Sequence, residues 1–496
     1  MEGETSGGGR QAGRTRKAGE MDKVEHRSTQ RPRRRRAEMA LAAGTVVLAS
    51  WMVAVTTGGT AAAKPAQAAE PPGLSVPIGA GHTYRHGALP LRTLSPASAS
   101  SVVPEHGPPN GRSPGQSFNG RLRYSGGPVV NGSPKVYLVF WGRQWGSEST
   151  VGGYRVFAGD PAGIARELQA YYSGLGTNRE LWSAVVAQYC LGVAFNAKAC
   201  PVAPASNHVA YPHLDVLGGV WEDTSYQPPL GSFPGDSNVG GATATQLAQE
   251  ASTAAVHFGD SSIDAQYIIV SPHLANPDGW LDPISGYCAY HDNTQDLFFN
   301  GTVTGPNVAY TNLPYIPDAG LGSCSSTGKS GPLDGTTETA SHEYAETLTD
   351  PYPTSGWSDR GSEIGDKCDY LDPGQPGAAT YLTLATGTFD VQGIWANDSG
   401  KKGGCEVAHS SILTANPGKQ KTVVGVPVNQ SVGGIDLFGL TVRYDAIGLP
   451  SGLSVNPGSG VISGTPTQRR TSEVTVTASD TSSAATFSFR WTVSRH

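Results

Sequence analysis

At 496 residues the chain has room for two or three domains. Only 15% of residues are charged while Gly reaches 65 and Pro 36, which disfavours a helical cytosolic protein and suits a loop- and strand-rich exported one. The net charge of -6 still counts an arginine-rich N-terminus (Arg31, Arg33, Arg34, Arg35 and Arg36), so the remainder is more acidic, which argues against nucleic acid as a partner.

Those arginines precede the apolar run 40–55 (A-L-A-A-G-T-V-V-L-A-S-W-M-V-A-V), and small residues follow as far as Ala66-Gln67-Ala68. A charged region, a short apolar region and an A-x-A site predict a secretory leader over 1–68, with Met21 or Met39 as alternative starts. The apolar run is short for a membrane span, so cleavage and export are expected, with no stable membrane insertion afterwards. Residues 69–118 are rich in Pro, Gly, Ser and Ala without periodicity and read as a disordered linker or pro-segment. Export also sets the expectation for the 6 cysteines: three disulfides, most simply sequential as Cys190–Cys200, Cys288–Cys324 and Cys368–Cys405.

The first folded domain is expected over 119–410. Residues 136–141 (V-Y-L-V-F-W) form a continuous apolar run of buried-strand type. Asp160-Pro161 should open a helix reaching about Tyr172, with Asp160 as N-cap. A second helix is expected over about 242–257, then a second buried strand over 266–271 (Q-Y-I-I-V-S). Asp334 or Thr336 should cap a third helix that Thr349-Asp350-Pro351 ends. After it the chain is irregular apart from one strand over 389–395 (F-D-V-Q-G-I-W). This order predicts an α/β (α+β) domain whose sheet supports the third helix. Beyond Ser410-Ser411, alternating stretches such as V-T-V-T-A (474–478) and T-F-S-F-R-W (486–491) are punctuated by Gly-Pro turns and predict an all-β Ig-like sandwich over 411–496.

The third helix carries the chemistry. T-A-S-H-E-Y-A-E-T-L-T-D-P (339–351) puts His342 and Glu346 at i and i+4, on one face and one turn apart, with Glu343 beside the histidine. That is the geometry of a zincin helix, in which the i and i+4 side chains hold a metal and the adjacent Glu activates water. Here the second position is a carboxylate, which ligates zinc but also suits harder cations. His342 and Glu346 are the candidate ligands and Glu343 the candidate general base. Glu363, in S-E-I-G-D-K-C (362–368), is the expected third ligand, with Asp350, Asp366 and Glu338 as alternatives and Asp366 also a candidate to orient His342. One histidine with two carboxylates neutralises a divalent cation and makes it a weak Lewis acid, which favours a slow peptidase or a structural ion. His291, Trp357 and Trp395 are candidates to line a cleft but read more readily as structural residues, Lys367 as a surface residue and Cys368 as a disulfide partner.

Two family resemblances follow from these residues. The stretch L-T-V-R-Y-D-A-I-G-L-P-S-G-L-S-V-N-P-G-S-G-V-I-S-G-T-P (440–466), with V-T-V-T-A-S-D and W-T-V after it, resembles the "putative Ig" modules of bacterial exported proteins. These are related to cadherin-like sandwiches, which implies calcium binding through acids such as Asp445 and Asp480. L-R-Y-S-G-G-P-V-V-N-G (122–132) running into V-Y-L-V-F-W-G, then H-E-x-x-E-x-x-T-D-P, E-I-G-D-x-C and V-Q-x-x-W-x-N before Cys405, is similar to the phosphate-induced, EXORDIUM-like secreted family and its bacterial relatives. The distance from Glu346 to Glu363 is similar to that of the gluzincins.

The leading expectation is a secreted, zincin-like peptidase: zinc on His342, Glu346 and Glu363, Glu343 as base, and a protein or peptide substrate. Calcium is the second candidate ion. The alternatives are a non-catalytic extracellular or cell-wall-associated protein with a structural ion, and an adhesin contacting a glycan or the cell wall through the sandwich.

Overall fold

The computed structural model describes residues 85–91, 120–213, 216–231, 241–282, 286–296, 302–326, 328–353, 355–414 and 416–495. The expected leader over 1–68 lies outside them, as does most of the expected linker over 69–118. Residues 85–91 correct that reading, because β1 (His86–Pro90) is an edge strand of the main sheet.

The described chain is mostly β, with few helices. After β1 come β2 (Lys135–Trp141), α1 (Ile164–Gly174), β3 (Leu217–Asp223), α2 (Ala244–Phe258), β4 (Ala265–Val270), β5 (Tyr287–Asn293), β6 (Ala309–Leu313) and α3 (Asp334–Thr349). The six strands make one mixed sheet in the order β1-β5-β6-β4-β2-β3. Strands β2, β3, β4 and β6 run parallel, β5 is antiparallel to β6, and β1 is antiparallel to β5. The interior strands β2 and β4 are covered on both faces, which is why they read as unbroken apolar runs rather than as alternation. Gln266 is the polar exception in β4. Its Nε2 donates to Thr311 Oγ1 on β6 and Thr347 Oγ1 on α3, both at 2.7 Å, and so ties sheet to helix.

Local chemistry sets the helix ends. Thr243 and Gln246 form a capping box at the start of α2, and Gly259 closes it at φ 69°. α1 begins later than Asp160-Pro161 suggests. The Asp160 carboxylate still caps it, accepting from the N–H groups of Gly163, Ile164 and Ala165, but it does so from one turn outside the helix. At α3 the expected caps are not used. Asp334 is the first helical residue, its Oδ2 accepts from Gly331 N at 2.8 Å, and Leu333 holds the cap position without a side-chain bond. The strand expected over 389–395 is two strands, β7 (Gly387–Val391) and β8 (Ile394–Ala396), with Gln392 between them turned toward α3. Disulfides join Cys190 to Cys200, Cys288 to Cys324, and Cys368 to Cys405. Lys367 is not a surface residue: it is buried, with Nζ 3.1 Å from Asp359 Oδ2 and 4.7 Å from the Trp395 ring centre.

The C-terminal region is a separate sandwich. Gln420–Val423, Ala484–Ser494, Arg470–Ser479 and Arg443–Ile447 form one sheet, and Val428–Ser431, Val461–Gly464 and Leu453–Val455 another. Alternation in Arg470–Ser479 sends Val474, Val476 and Ala478 inward. Val474 and Val476 join Val432, Ile462, Phe489 and Trp491 in a core of their own, distinct from that of the larger domain. At the junction, His409 N donates to Leu181 O at 2.9 Å, and the Phe438 ring meets Tyr211 at 5.2 Å.

Separate cores make the two parts separable in stability. Residues 411–496 are expected to fold alone, and calorimetry of the whole chain should show two transitions, each reproduced by one isolated fragment. One transition, with both fragments unfolded when separated, would place both in a single cooperative unit.

His409 adds a pH-dependent term to the junction. Burial opposes its charging, but Asp398 Oδ2 at 3.3 Å and Glu406 Oε2 at 2.7 Å raise it to about 10. Because the folded value lies above the ordinary histidine value of about 6.5, its stabilisation is complete below that pH and is lost as pH rises through about 10. His409→Asn should flatten the fall in melting temperature over that window, which a melting series from pH 6 to pH 10.5 measures.

Candidate metal centre

Every side chain from Thr336 to Thr349 on α3 is buried, so a helix of Thr, Ser, Glu and His must find its polar partners inside the protein. Glu338 finds its partners near the start of the helix, where its carboxylate accepts from Ser326 N at 2.8 Å and from Ser326 Oγ. It is therefore engaged elsewhere and does not join the centre. Toward the C-terminal end, His342, Glu343 and Glu346 meet His291 on β5, Asp350 at the helix terminus and the 362–369 loop.

The atoms that converge on a common point are not those the motif alone implies. His291, Glu346 and Glu363 each offer one ligand atom, and these atoms lie within 4.8 Å of one another. His291 Nδ1 is 3.4 Å from Glu343 Oε2 and 3.5 Å from Glu346 Oε2, and its Nε2 is 3.3 Å from Glu363 Oε2. His342 belongs to a neighbouring group with Asp366 and Asp369. Both of its ring nitrogens face acceptors, Gln392 Oε1 at 3.0 Å from Nδ1 and Gly87 O at 2.9 Å from Nε2. A ring donating from both nitrogens has no lone pair for a cation. His291 also has both nitrogens facing oxygens, with Nε2 3.2 Å from Asp350 O and Nδ1 directed at the Glu343 and Glu346 carboxylates, but it is His291 that shares a common point with Glu346 and Glu363.

The E-I-G-D loop wraps this arrangement. Gly365 N and Asp366 N both donate to Glu346 Oε1 at 3.1 Å, leaving Oε2 free, and Asp366 Oδ2 accepts from Glu363 N at 2.8 Å. Asp366 thus shapes the loop that delivers Glu363. Gly365 is required by contact, because a Cβ there would lie 2.6 Å from His342 Nδ1.

The electrostatics are those of acids crowded together in the interior. His291, His342, Glu343 and Glu346 are 0% exposed and Glu363 3%, yet Glu346 Oε2, Glu363 Oε2, Asp350 Oδ2 and both oxygens of Glu343 lack a hydrogen-bond donor. Burial lifts Glu343 to about 7 against the pull of His291 and His342, and it lifts Asp350 and Asp366 to about 7 as well. Burial also drives Glu363 well above the carboxylate range, with His291 opposing and Glu346 and Asp350 adding to the rise. Glu346 alone stays low, at about 2: burial would raise it, but His342 and His291 overcome that. Both imidazoles are held well above their ordinary value, the acids around them outweighing desolvation. So many buried acids with bare oxygens fit a divalent cation, and a set of one nitrogen and several oxygens suits zinc or a harder ion.

The sequence reading set His291 aside as structural because it sits on a strand with no spacing relation to H-E-x-x-E. Its only signal was the Cys288–Cys324 bridge, which carries β5 to the start of α3. Trp357 and Trp395 are buried framework residues, their Nε1 groups donating to Cys190 O and Asn397 Oδ1. In the sandwich, Asp445 is exposed on its strand and Asp480 is taken up by its own turn, Oδ1 accepting from Ser483 N at 2.7 Å. Among the described residues, neither group able to hold a cation includes them.

Residues 410–494 match the family model described as "Putative Ig domain". The C-terminal domain is Ig-like. Human protocadherin-24 EC1-2 is similar at 17% identity over 17% of this chain and 43% of that one, with a TM-score of 0.15. Drosophila N-cadherin EC1-3 is similar at 12% over 25% of this chain and 46% of that one, with a TM-score of 0.16. The titin M3 domain is similar at 14% over 18% of this chain and 100% of that one, with a TM-score of 0.15. The chain thus spans less than half of either cadherin structure. No curated protein matches it. The Ig-like domain and the disulfides are consistent with an extracellular protein. No helix among the described residues is long and apolar enough to cross a membrane. The EXORDIUM-like and zincin-like resemblances gain no support from these comparisons.

The two histidines should separate on mutation. His291→Ala is expected to abolish stoichiometric zinc binding, whereas His342→Ala, which removes a neighbour of Glu346, should weaken it by about 10–100-fold. Titration of both purified variants with zinc measures this, and the reverse order would restore His342 as the ligand.

Proposed function

We propose that this is an extracellular, surface- or cell-wall-associated protein whose larger domain encloses a structural divalent cation and whose Ig-like domain makes its outward contacts with a glycan or wall polymer. The supporting observation is the closure of the centre. Carboxylate oxygens of Glu346 and Glu363 converge with the His291 imidazole in the buried interior. An ion held by His291, Glu346 and Glu363 would link β5, α3 and the 362–369 loop. The expected result is a cation that co-purifies and whose removal selectively lowers the melting temperature of the larger domain. Binding at one hundred times the dissociation constant stabilises by about 2.7 kcal/mol. A metal-free protein with the same melting temperature in excess zinc, excess calcium and chelator would overturn the reading.

A second reading, a secreted metal-dependent hydrolase of proteins or peptides, is favoured by Glu343. Both of its oxygens are unpartnered, it is lifted toward neutral pH, and it adjoins the group without belonging to it. A bound divalent cation supplies Lewis acidity to a water molecule. Glu343 is the side chain suited to take that water's proton. Glu343→Gln should then keep the metal and the fold while lowering hydrolysis of an unfolded protein substrate by about 10²–10⁴-fold. Full activity in the variant would remove the base role.

A further inference from the structure

The wall that closes the centre is itself a piece of extended chain. β1 pairs with β5 through His86 opposite His291, Leu89 opposite Ala289 and Pro90 opposite Tyr287, with irregular register between them. Gly87 sits in that irregularity at φ +56°, and its carbonyl accepts from His342 Nε2 at 2.9 Å. A Cβ at this position would lie 1.8 Å from Glu346 Oε2 and 2.9 Å from His291 Cε1, so bare backbone lies directly on the ligand group.

Both ends of this segment are fastened away from the centre. Arg85 Nε donates to Asp278 Oδ2 at 2.9 Å in a nearly dry pair, and its guanidinium lies 4.4 Å from the Tyr287 ring centre. At the other end Tyr370 Oη donates to Pro90 O at 2.7 Å, and Leu91 N to Gly286 O at 3.2 Å. Between the fastenings Leu89 is fully buried.

We propose that residues 85–91 are an internal strap occupying a groove built for an extended peptide, and that displacing the strap exposes the β5 edge and the centre to such a segment from another chain. The proposal rests on the cation centre described above and adds its regulation and its ligand class. Two features carry it. The strap is a sheet edge, so its departure leaves the β5 edge open to another strand. And its contact with the centre is made by glycine backbone, a chemistry that any peptide with a small residue at that point reproduces.

The test uses the full chain loaded with zinc, the variants Arg85→Gln and Gly87→Val, and a fluorescent synthetic peptide of sequence R-H-G-A-L-P-L. Wild type should surrender zinc slowly to a chromophoric chelator and bind no peptide. Arg85→Gln, which loosens a fastening without touching the centre, should lose zinc at least tenfold faster and bind the peptide saturably. The same peptide with valine for glycine should not bind. An Arg85→Gln protein with a wild-type melting curve, wild-type zinc release and no peptide binding would overturn the strap. If wild type holds no zinc, the cation reading fails by itself and the peptide arm still decides the strap. If both variants unfold, hydrogen exchange of wild type decides: β5 amides facing β1 should exchange faster than those of β4, and equal protection would overturn the proposal.

Discussion

A helix whose every face lies inside the protein, yet whose sequence is Thr-Thr-Glu-Thr-Ala-Ser-His-Glu-Tyr-Ala-Glu-Thr, obliges its surroundings to answer each polar group it carries. Much of the larger domain is arranged around that obligation. Gln266 interrupts an otherwise apolar strand to reach Thr347. Gln392 breaks a strand in two so that its backbone can bond to Ser341 and its side chain to His342. The E-I-G-D loop turns two backbone N–H groups toward Glu346. Burying polar groups is costly unless they are paired, so these adaptations are the condition under which α3 can occupy the interior at all.

The same helix meets two opposite electrostatic outcomes. Near its start, Glu338 and Asp390 lie close together, and Lys329 answers them with Nζ 2.6 Å from Asp390 Oδ1. Near its end the acids outnumber the available positive groups, which are two imidazoles rather than a lysine. One end is answered by a lysine of the chain itself, although burial and the neighbouring Glu338 still push Asp390 up to about 8. The other is left with bare oxygens, the situation in which carboxyls either hold protons or hold a cation.

Legibility in the sequence followed the range of the physics involved. The buried strands, α2 and the end of α3 at Asp350-Pro351 rest on local patterns and were readable. The Ig-like fold was readable because alternation and turn residues recur within a short stretch. The start of α1 shifted because Asp160 caps from a distance, a detail of loop path that residue type does not carry. In the centre, the structure brings the H-E-x-x-E helix and Glu363 of the E-I-G-D loop together. That His291 falls beside Glu346 and Glu363 while His342 falls in a neighbouring group is a matter of long-range packing that spacing along the chain does not carry. His342 also meets the carbonyl of Gly87 on β1, a strand so short and so rich in small residues that its composition reads as linker.

The pairing of β1 with β5 also has a consequence for the order in which the molecule assembles. It joins His86 to His291, the longest chain separation between neighbouring strands of the sheet. Closing longer loops costs more entropy, and a chain made from its N-terminus holds β1 ready well before β5 exists. The remaining strands pair across shorter intervals. Among the described residues β1 is thus the first strand of the sheet to be made, yet its partner β5 is made only after β2, β3 and β4.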